Sequence, residues 1–470
     1  NVRARIDAEL SKRVSVGINI APTYTSTEKP GTNYGGFVET PWWIPLQHDA
    51  YTSAITGVPV GEYTRPDQFN NGVYEGINPQ TGEEVRITAS PNNSSNNNPV
   101  GIMNNITSLQ ENYRVQVQGY IDIKLWDALK FRSSNSYNFS NNESMDHRNE
   151  GARNVTDTNR GMWSYNRTTR WSTENTLSYN KTFKQIHTVD LLAGMSAYKN
   201  VASKAGILGF DFQSDDIFSL SAAGRIDQYE GTSIRTGTWK SEDSMLSYYG
   251  RVNYALKDRY LFSATYRMDG SSKFGKDNRW GAFPSVSAGW RISEEPFVRD
   301  HVSWLDQLKF RISYGVTGTS SITNHANTDL LDPANYVLGS DNGSVASGLA
   351  NNSSCLGSNT LQWEQTGQFN IGLDLAVLNN RIGLTFDYFY STTKSLLYQK
   401  TINSIVGYNK AWTNEGKLRN RGFEVELTTY NFNSKKFKWN TSFNLSLVRN
   451  RLLSLSGPAE QITKGSGNEY

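Results

Sequence analysis

Paired runs of alternating residues constrain the fold of this chain more than any other feature. In RIGLTFDYFY (381–390) every second residue from Ile382 is apolar or aromatic, and Gly383, Thr385 and Asp387 lie between them. A tight NNR turn joins this run to FNIGLDLAVL (369–378), which alternates in the same way. Successive side chains of a β-strand point to opposite faces, so the two runs predict a hairpin with one apolar and one polar face.

The same alternation recurs along most of the chain, as in GFEVELTT (422–429) and KFKWNTSFNLSL (436–447). No helical period of comparable strength is present. The upstream pattern predicts hairpins near 2–24, 111–140, 171–199 and 243–269, and strands near 282–292 and 308–317. Together these segments predict an all-β, antiparallel chain of about fourteen strands.

The connections between these strands alternate between short turns and long loops. The long ones lie near 25–110, 141–170, 200–242, 318–363 and 393–417. A transmembrane β-barrel sorts its links in this way and needs strands of about 9–11 residues, whereas sandwich strands usually have about 5–6. We therefore expect a partial β-barrel with long extracellular loops. A secreted, soluble β-sandwich adhesin is the alternative that shares the alternation.

Composition narrows the function classes. The chain has 47 basic and 44 acidic residues without a basic block, which argues against a nucleic-acid partner. Aromatic residues make up 12% of the chain, as expected where Tyr, Trp and Phe form girdles at the two surfaces of a lipid bilayer. The single cysteine, Cys355, cannot form a disulfide within this sequence.

The stretch DGSSKFGKDNRWG (269–281) matches the spacing of a phosphate-binding loop through Gly270, Gly275 and Lys276. Such a loop opens a helix and carries Ser or Thr after the Lys, where its hydroxyl reaches Mg²⁺. Asp277 occupies that position here, and the residues that follow alternate like a strand. We interpret the two glycines as turn residues with positive φ at the outer end of a hairpin.

The wider segment 266–297 resembles the hallmark of the SusC/RagA family, the TonB-linked (TonB-dependent) outer-membrane transporters of Bacteroidetes-type bacteria. The resemblance rests on Arg267, Asp269, Gly270, Ser271, Ser272, Phe274, Gly275, Asn278, Arg279, Gly281, Phe283, Pro284, Ser285, Gly289, Trp290, Arg291 and Ile292. Segments 308–322, 361–397 and 416–427 resemble further strands of the same family. The resemblance implies a structural role for the signature residues.

The resemblance also implies a function and a set of partners. Family members take up large nutrients, glycan oligosaccharides or peptides, through a barrel of about 22 strands. A SusD-like surface lipoprotein caps the barrel, and the TonB–ExbB–ExbD system supplies energy. We expect an internal barrel segment whose plug domain and export signal are absent from this chain. A siderophore or cobalamin receptor of the broader TonB-dependent class is the alternative.

Aromatic residues in the long loops are the candidates for substrate contact, because flat apolar rings stack on sugars or grip peptides. They are Trp42, Trp43, Tyr74, Trp163 and Trp239. Packing between loops, or a place in an interfacial girdle, is the competing interpretation.

No catalytic or metal site is expected from the sequence, and no cofactor is implied. The histidines are scattered without zinc-ligand spacing, no nucleophile motif occurs, and paired carboxylates such as Glu294 and Glu295 are commonplace in loops. Asp211, Asp215 and Asp216 could approach Ca²⁺ but lack the order of a calcium loop. We expect a non-enzyme.

The predicted alternation can be tested by placing a charge on each face. Leu384→Arg or Leu445→Arg would put the charge in lipid and should destabilise the assembled barrel by about 2–4 kcal/mol near the midplane. Ser442→Arg, on the polar face, should be mild. Urea unfolding of the protein folded in lipid vesicles measures the difference, and equal losses on both faces would contradict the assignment.

Overall fold

The structure of the protein is a computed structural model. It describes residues 2–29, 45–64, 68, 74–77, 80–87, 98–149, 159–217, 219–226, 236–329, 331–333, 336–338, 344–346, 348–351 and 355–455.

Fourteen long strands build the molecule. They are β1 Ala4–Ser11, β2 Val14–Glu28, β3 Ile106–Lys124, β4 Leu129–Arg148, β5 Arg160–Phe183, β6 His187–Phe212, β7 Gly237–Leu256, β8 Tyr260–Ser271, β9 Trp280–Arg291, β10 Leu305–Thr319, β11 Glu364–Val377, β12 Ile382–Lys394, β13 Lys417–Asn433 and β14 Lys438–Ser454. Each strand pairs antiparallel with the next in chain order, from β1 to β14, in one sheet. The predicted number and direction of the strands are confirmed, and two packed sheets, as in a sandwich, are not formed by the described strands.

Shorter elements lie in the connections. The helices are Ala50–Thr56, Pro99–Asn105 and Pro296–Arg299, with 3₁₀ turns at Leu220–Ala222, Ile292–Glu294 and Ser404–Val406. The strand Ala223–Ile226 pairs with β6, and small hairpins join Tyr74–Ile77 to Glu84–Ile87, Leu331–Pro333 to Leu349–Asn351, Tyr336–Leu338 to Ser344–Ala346 and Leu397–Thr401 to Lys410–Asn414. Among the described residues, no helix has the length and apolar character needed to cross a membrane.

The strand register places apolar side chains in continuous rows on one face of the sheet, called here the outward face. Ile371 pairs with Tyr388, which pairs with Phe423, which in turn pairs with Leu447. One step along the strands, Leu373, Phe386, Val425 and Leu445 form the next row. Because paired residues of neighbouring strands point to the same face, the period-two pattern of the sequence becomes an apolar band.

The opposite face, called here the inner face, carries polar and charged groups. Arg311 on β10 donates to both oxygens of Asp374 on β11, at 2.9 and 3.0 Å, and to Asp387 on β12, at 3.0 Å. Gly372 makes room for this network, because a Cβ there would lie 2.7 Å from the Arg311 Cζ atom. The bidentate pairing gives the Arg311 guanidinium charged hydrogen-bond partners, which it would lack among apolar side chains.

The two ends of the sheet differ in their connections. At one end, the turn end, short links such as 184–186, 257–259 and 378–381 join the strands. Several of their residues have positive φ, among them Asp258 and Asn379, which matches the right-handed twist of a tight hairpin. Longer segments join the strands at the other end, the loop end.

The strands reach further into the loop end than the sequence pattern indicates. β6 continues to Phe212 and β7 begins at Gly237, so the connection between them covers 213–236 rather than 200–242. Likewise, the connection between β4 and β5 covers 149–159 rather than 141–170. Beyond the apolar band a strand no longer needs one apolar face. The alternation of apolar and polar residues therefore ends in the sequence, while the backbone hydrogen bonds between the strands continue.

A compact apolar core lies at the loop end. It consists of Phe274, Phe283, Ile322, Ala326, Leu361 and Trp363, with Met245, Val316, Leu397 and Trp412 packed against it. Phe274 is fully buried. Residues from the β8–β9 connection, from β9 and from the segment between β10 and β11 thus share one core, which holds the connecting segments against the sheet.

A gap in the strand ladder makes room for this core. β9 pairs with β8 as far as Trp280, but its pairing with β10 ends at Ser285 opposite Gly315. Pro284, which has no N–H to donate, lies at the point where that ladder ends. The Phe283 ring lies over Gly318, where a Cβ would be 2.2 Å from it.

Removing the buried ring should loosen the loop end selectively. Phe274→Ala leaves a cavity in the core and should lower the free energy of local opening by roughly 3–5 kcal/mol. Amide hydrogen exchange at Ile322 and Leu361 measures that opening, and Phe297→Ala is the control, because Phe297 is exposed in the β9–β10 connection. Unchanged exchange in Phe274→Ala would show that this core does not hold the loops.

Candidate functional site

A pocket of about 540 Å³ opens at the loop end, directly beside the apolar core. Its wall combines the outer part of β7, the segment after β10 and the small hairpin that follows β12. The lining residues are Trp239, Lys240, Ser241, Ile322, Thr323, Asn324, His325, Ala326, Thr328, Cys355, Gly357, Gln399 and Trp412. Ile322, Ala326 and Trp412 belong both to this lining and to the packing of the core, so the core forms the floor of the pocket.

Trp239 is the predicted site residue that reaches this pocket. It lies on β7 in the inner-face row that also contains Arg251, because the strand alternates without a register shift between them. The ammonium of Lys204 lies 5.4 Å from the centre of its ring, and 39% of the residue is exposed. An exposed indole at the mouth of a polar lumen offers a flat surface for an incoming molecule.

Trp412 supplies a second indole, which is not among the candidate residues expected from the sequence. It lies in the strand Lys410–Asn414, which pairs with Leu397–Thr401, and it packs against the core. Its backbone N–H donates to the Leu356 carbonyl at 3.3 Å. The signal that could have found it is an aromatic residue in the long loop 393–417, the same criterion that selected Trp239.

The polar lining is held in place by contacts between elements. Asn324 donates to the Ser241 hydroxyl at 2.6 Å, and Lys273 donates to the Ile322 carbonyl at 2.9 Å. His325 adopts a left-handed backbone conformation, with φ of 64°. The described lining residues carry hydroxyl, amide, imidazole and ammonium groups but no carboxylate, so the pocket suits a neutral polar or an anionic ligand group.

Residues of the signature segment 266–297 hold together the strands and the core on which the pocket lies. Arg267 donates to Asp269 at 2.7 and 2.9 Å and to the Ser247 hydroxyl at 3.0 Å, which ties β8 to β7. The ring of Phe274 lies 5.2 Å from that of Trp363. Trp363 in turn donates its indole N–H to the Arg279 carbonyl at 2.9 Å.

Further signature residues close the β8–β9 connection. The Ser271 N–H donates to the Arg279 carbonyl at 3.1 Å, and the Ser244 N–H donates to the Ser272 hydroxyl at 2.9 Å. At Gly281 a Cβ would lie 2.9 Å from the Trp363 ring. The signature therefore places small and hydrogen-bonding residues where two segments of chain come close together.

The expectation of positive φ at Gly270 and Gly275 is wrong. Neither glycine is among the described residues with positive φ. Glycine is needed there for close approach instead: a Cβ at Gly275 would lie 2.2 Å from the Asn359 carbonyl oxygen, and one at Gly270 would lie 2.9 Å from the Trp280 ring. The long-range contact with 358–363 was not visible in the local sequence pattern.

At the turn end, the signature residue Trp290 makes a separate group of contacts. Trp290 stacks on Tyr260 with ring centres 6.5 Å apart, and both residues donate to the Glu295 carboxylate, at 3.1 and 2.7 Å. These hydrogen bonds, that from Tyr260 foremost, lower the pKa of Glu295 below its ordinary value. They fix the 292–304 connection to β8 and β9.

Of the other aromatic candidates, Trp163 lies apart from this pocket. Trp163 on β5 faces outward, in the same row as Leu177, and donates to Glu143 at 2.6 Å. It lines a separate cavity of about 190 Å³ with His147 and Leu220.

Tyr74 begins the short strand Tyr74–Ile77, and Trp42 and Trp43 lie outside the described residues. Of the acidic candidates, Asp211 pairs with Arg225 at 3.3 Å, and Asp215 accepts from Asn159 at 3.2 Å. Substrate contact stays a prediction for all five aromatic residues.

Comparison with known proteins identifies the family. The model of the TonB dependent receptor-like β-barrel family matches residues 49–465. The chain belongs to this family. Its members are outer-membrane proteins, so the expected outer-membrane location is confirmed, and the outward face of the sheet is the lipid-facing face.

Individual relatives confirm the SusC/RagA resemblance. The chain is 31% identical to TonB-dependent receptor P39 of Formosa agariphila over 361 residues, which are 77% of this chain and 33% of that protein. It is 37% identical to TonB-dependent receptor SusC of Bacteroides thetaiotaomicron over 225 residues, which are 47% of this chain and 22% of SusC.

A solved structure of the RagAB peptide transporter has the same fold, with a TM-score of 0.74 at 21% identity, over 96% of this chain and 46% of that one. The chain therefore spans less than half the length of each of these proteins.

The lone cysteine offers a direct test of the pocket. Burial raises the pKa of the Cys355 thiol above its ordinary value, so the reactive thiolate forms only as pH rises through that raised pKa. Alkylation of the folded protein by a small maleimide should therefore be slow at neutral pH and should accelerate at a higher pH than for the unfolded chain. Identical pH profiles for the two would contradict a half-buried thiol in the pocket.

Proposed function

We propose that the complete protein is an active importer of large nutrients, glycan oligosaccharides or peptides, across the outer membrane, and not an enzyme. The described barrel wall contributes the lipid-facing surface, part of the lumen and the extracellular mouth. The observation that carries the proposal is the pocket at the mouth, where two indole rings and several amide and hydroxyl groups converge on the inner side of the wall.

The chemistry of the pocket supports this class of cargo. Indole rings stack on the apolar faces of sugar rings or on peptide side chains. Asn324, Gln399 and Thr323 can exchange hydrogen bonds with hydroxyl or amide groups of either cargo. A ligand that is long and uncharged suits a surface of this kind, since it gains many weak contacts.

The relatives supply the rest of the proposal. The solved structure reported above is named the RagAB peptide transporter, and SusC is named a TonB-dependent receptor. By analogy, a SusD-like surface lipoprotein would close over the loop end and deliver cargo to the pocket. The TonB–ExbB–ExbD system would then drive movement of a plug domain inside the barrel.

The pocket predicts a specific loss of function. Trp239→Ala in the complete protein removes the exposed ring, and loss of one stacking contact of about 1 kcal/mol should weaken cargo capture roughly fivefold. Uptake is measured as growth of the native bacterium on defined glycans or peptide mixtures, with surface expression checked by antibody.

Trp126→Ala is the matched control, because Trp126 is 70% exposed in the short β3–β4 turn at the opposite end. Reduced uptake in Trp239→Ala alone supports the proposal. Equal uptake in wild type and Trp239→Ala on every cargo that the strain imports through this protein would contradict it.

A further inference from the structure

Four arginines form a compact array at the loop end of β13 and β14. Arg419 pairs directly with Arg451, and Arg421 pairs with Arg449. The register between these strands is continuous from Leu418 to Tyr430, so the four guanidinium groups share the lipid-facing side with Phe423 and Leu447. Like charges directly opposite each other on one face destabilise a sheet, and this arrangement therefore calls for a compensating anion.

The array lies immediately above the apolar band. On β14 the lipid-facing residues run from Trp439 to Leu447, which is about 26 Å along the strand and about 20 Å of depth at the usual barrel tilt. Arg449 and Arg451 are the next two residues on that face. Tyr390, the outermost aromatic of the β12 row, pairs with Arg421, which is the level at which aromatic girdles meet lipid headgroups.

Among the described residues, the lipid-facing rows of β12, β13 and β14 contain no Asp or Glu that could balance this charge. They add two further cations, Lys394 paired with Lys417. Because the register places all four arginines on the side of Phe423 and Leu447, their charge is directed away from the lumen, toward the outer leaflet beside the barrel wall.

We propose that the four-arginine array binds the phosphate groups of a phosphorylated lipid in the outer leaflet. Arginine presents paired N–H groups that match two phosphate oxygens, and basic residues at a membrane surface attract anionic headgroups. The acyl chains of such a lipid lie against Phe423, Leu447 and the rest of the band, so the headgroup and tail contacts belong to one continuous surface. Free inorganic phosphate would gain only the first of these contacts.

The array is separate from the transport pocket, and the proposal does not depend on the cargo. It assigns to this part of the wall a site for an annular lipid that neutralises the repulsion between the paired arginines and anchors the barrel at a fixed depth.

The test uses the complete protein extracted from its native outer membrane in a mild detergent. Native mass spectrometry counts the phosphorylated lipids that stay bound to wild type, to Arg421→Gln/Arg449→Gln and to Lys435→Gln/Lys436→Gln. The last pair is the matched control, because it removes two charges from the exposed turn at the opposite end of the same two strands. Arg421→Lys/Arg449→Lys keeps the charge and loses the paired donors, and it serves if the Gln variant does not assemble.

We expect wild type and the turn-end control to retain the lipid. The Gln variant should bind it roughly 25-fold more weakly, since each basic residue at a membrane surface contributes about fivefold, and the Lys variant should fall between them. Inorganic phosphate at millimolar concentration should not displace the lipid. Equal retention in all four proteins, or displacement by inorganic phosphate alone, would overturn the proposal.

Discussion

The antiparallel register between neighbouring strands is the constraint on which the rest of the molecule depends. A membrane-spanning backbone must satisfy every N–H and C=O group within the protein, and the ladder gives each strand from β2 to β13 a paired neighbour on both sides. The same register decides which side chains meet. A shift of one residue would exchange the apolar rows for the Arg311–Asp374–Asp387 network, so charge and apolarity on the two faces jointly fix the pairing.

The loop end depends on a local interruption of that ladder. Where β9 separates from β10 above Ser285, Phe283 and Trp363 fill the opening and give the long connections a core on which to pack. The pocket with Trp239 and Trp412 then forms on the side of this core. A regular wall would have offered the loops no such platform, which explains why the signature of the family concentrates at this hairpin.

Features that arise from neighbouring residues, such as the strands, could be predicted from the sequence. Features that arise from contacts between distant segments could not. The alternation around Ile382 and Phe443 follows directly from a two-faced strand, so the number, direction and faces of the strands could be predicted. Glycine is needed at position 275 because a side chain there would collide with the distant Asn359 carbonyl. Trp412 lies in the same pocket as Trp239 only because a loop hairpin folds against the core. Contacts of this kind depend on how separate segments pack, and no periodicity in the sequence encodes them.

The most direct test of this account is an electron cryo-microscopy structure of the complete protein, isolated from its native outer membrane with its partners and cargo. The account predicts a lipoprotein closed over the loop end and cargo density in contact with Trp239 and Trp412. A closed complex whose cargo bypasses this pocket, or a barrel whose apolar rows face the lumen, would contradict it.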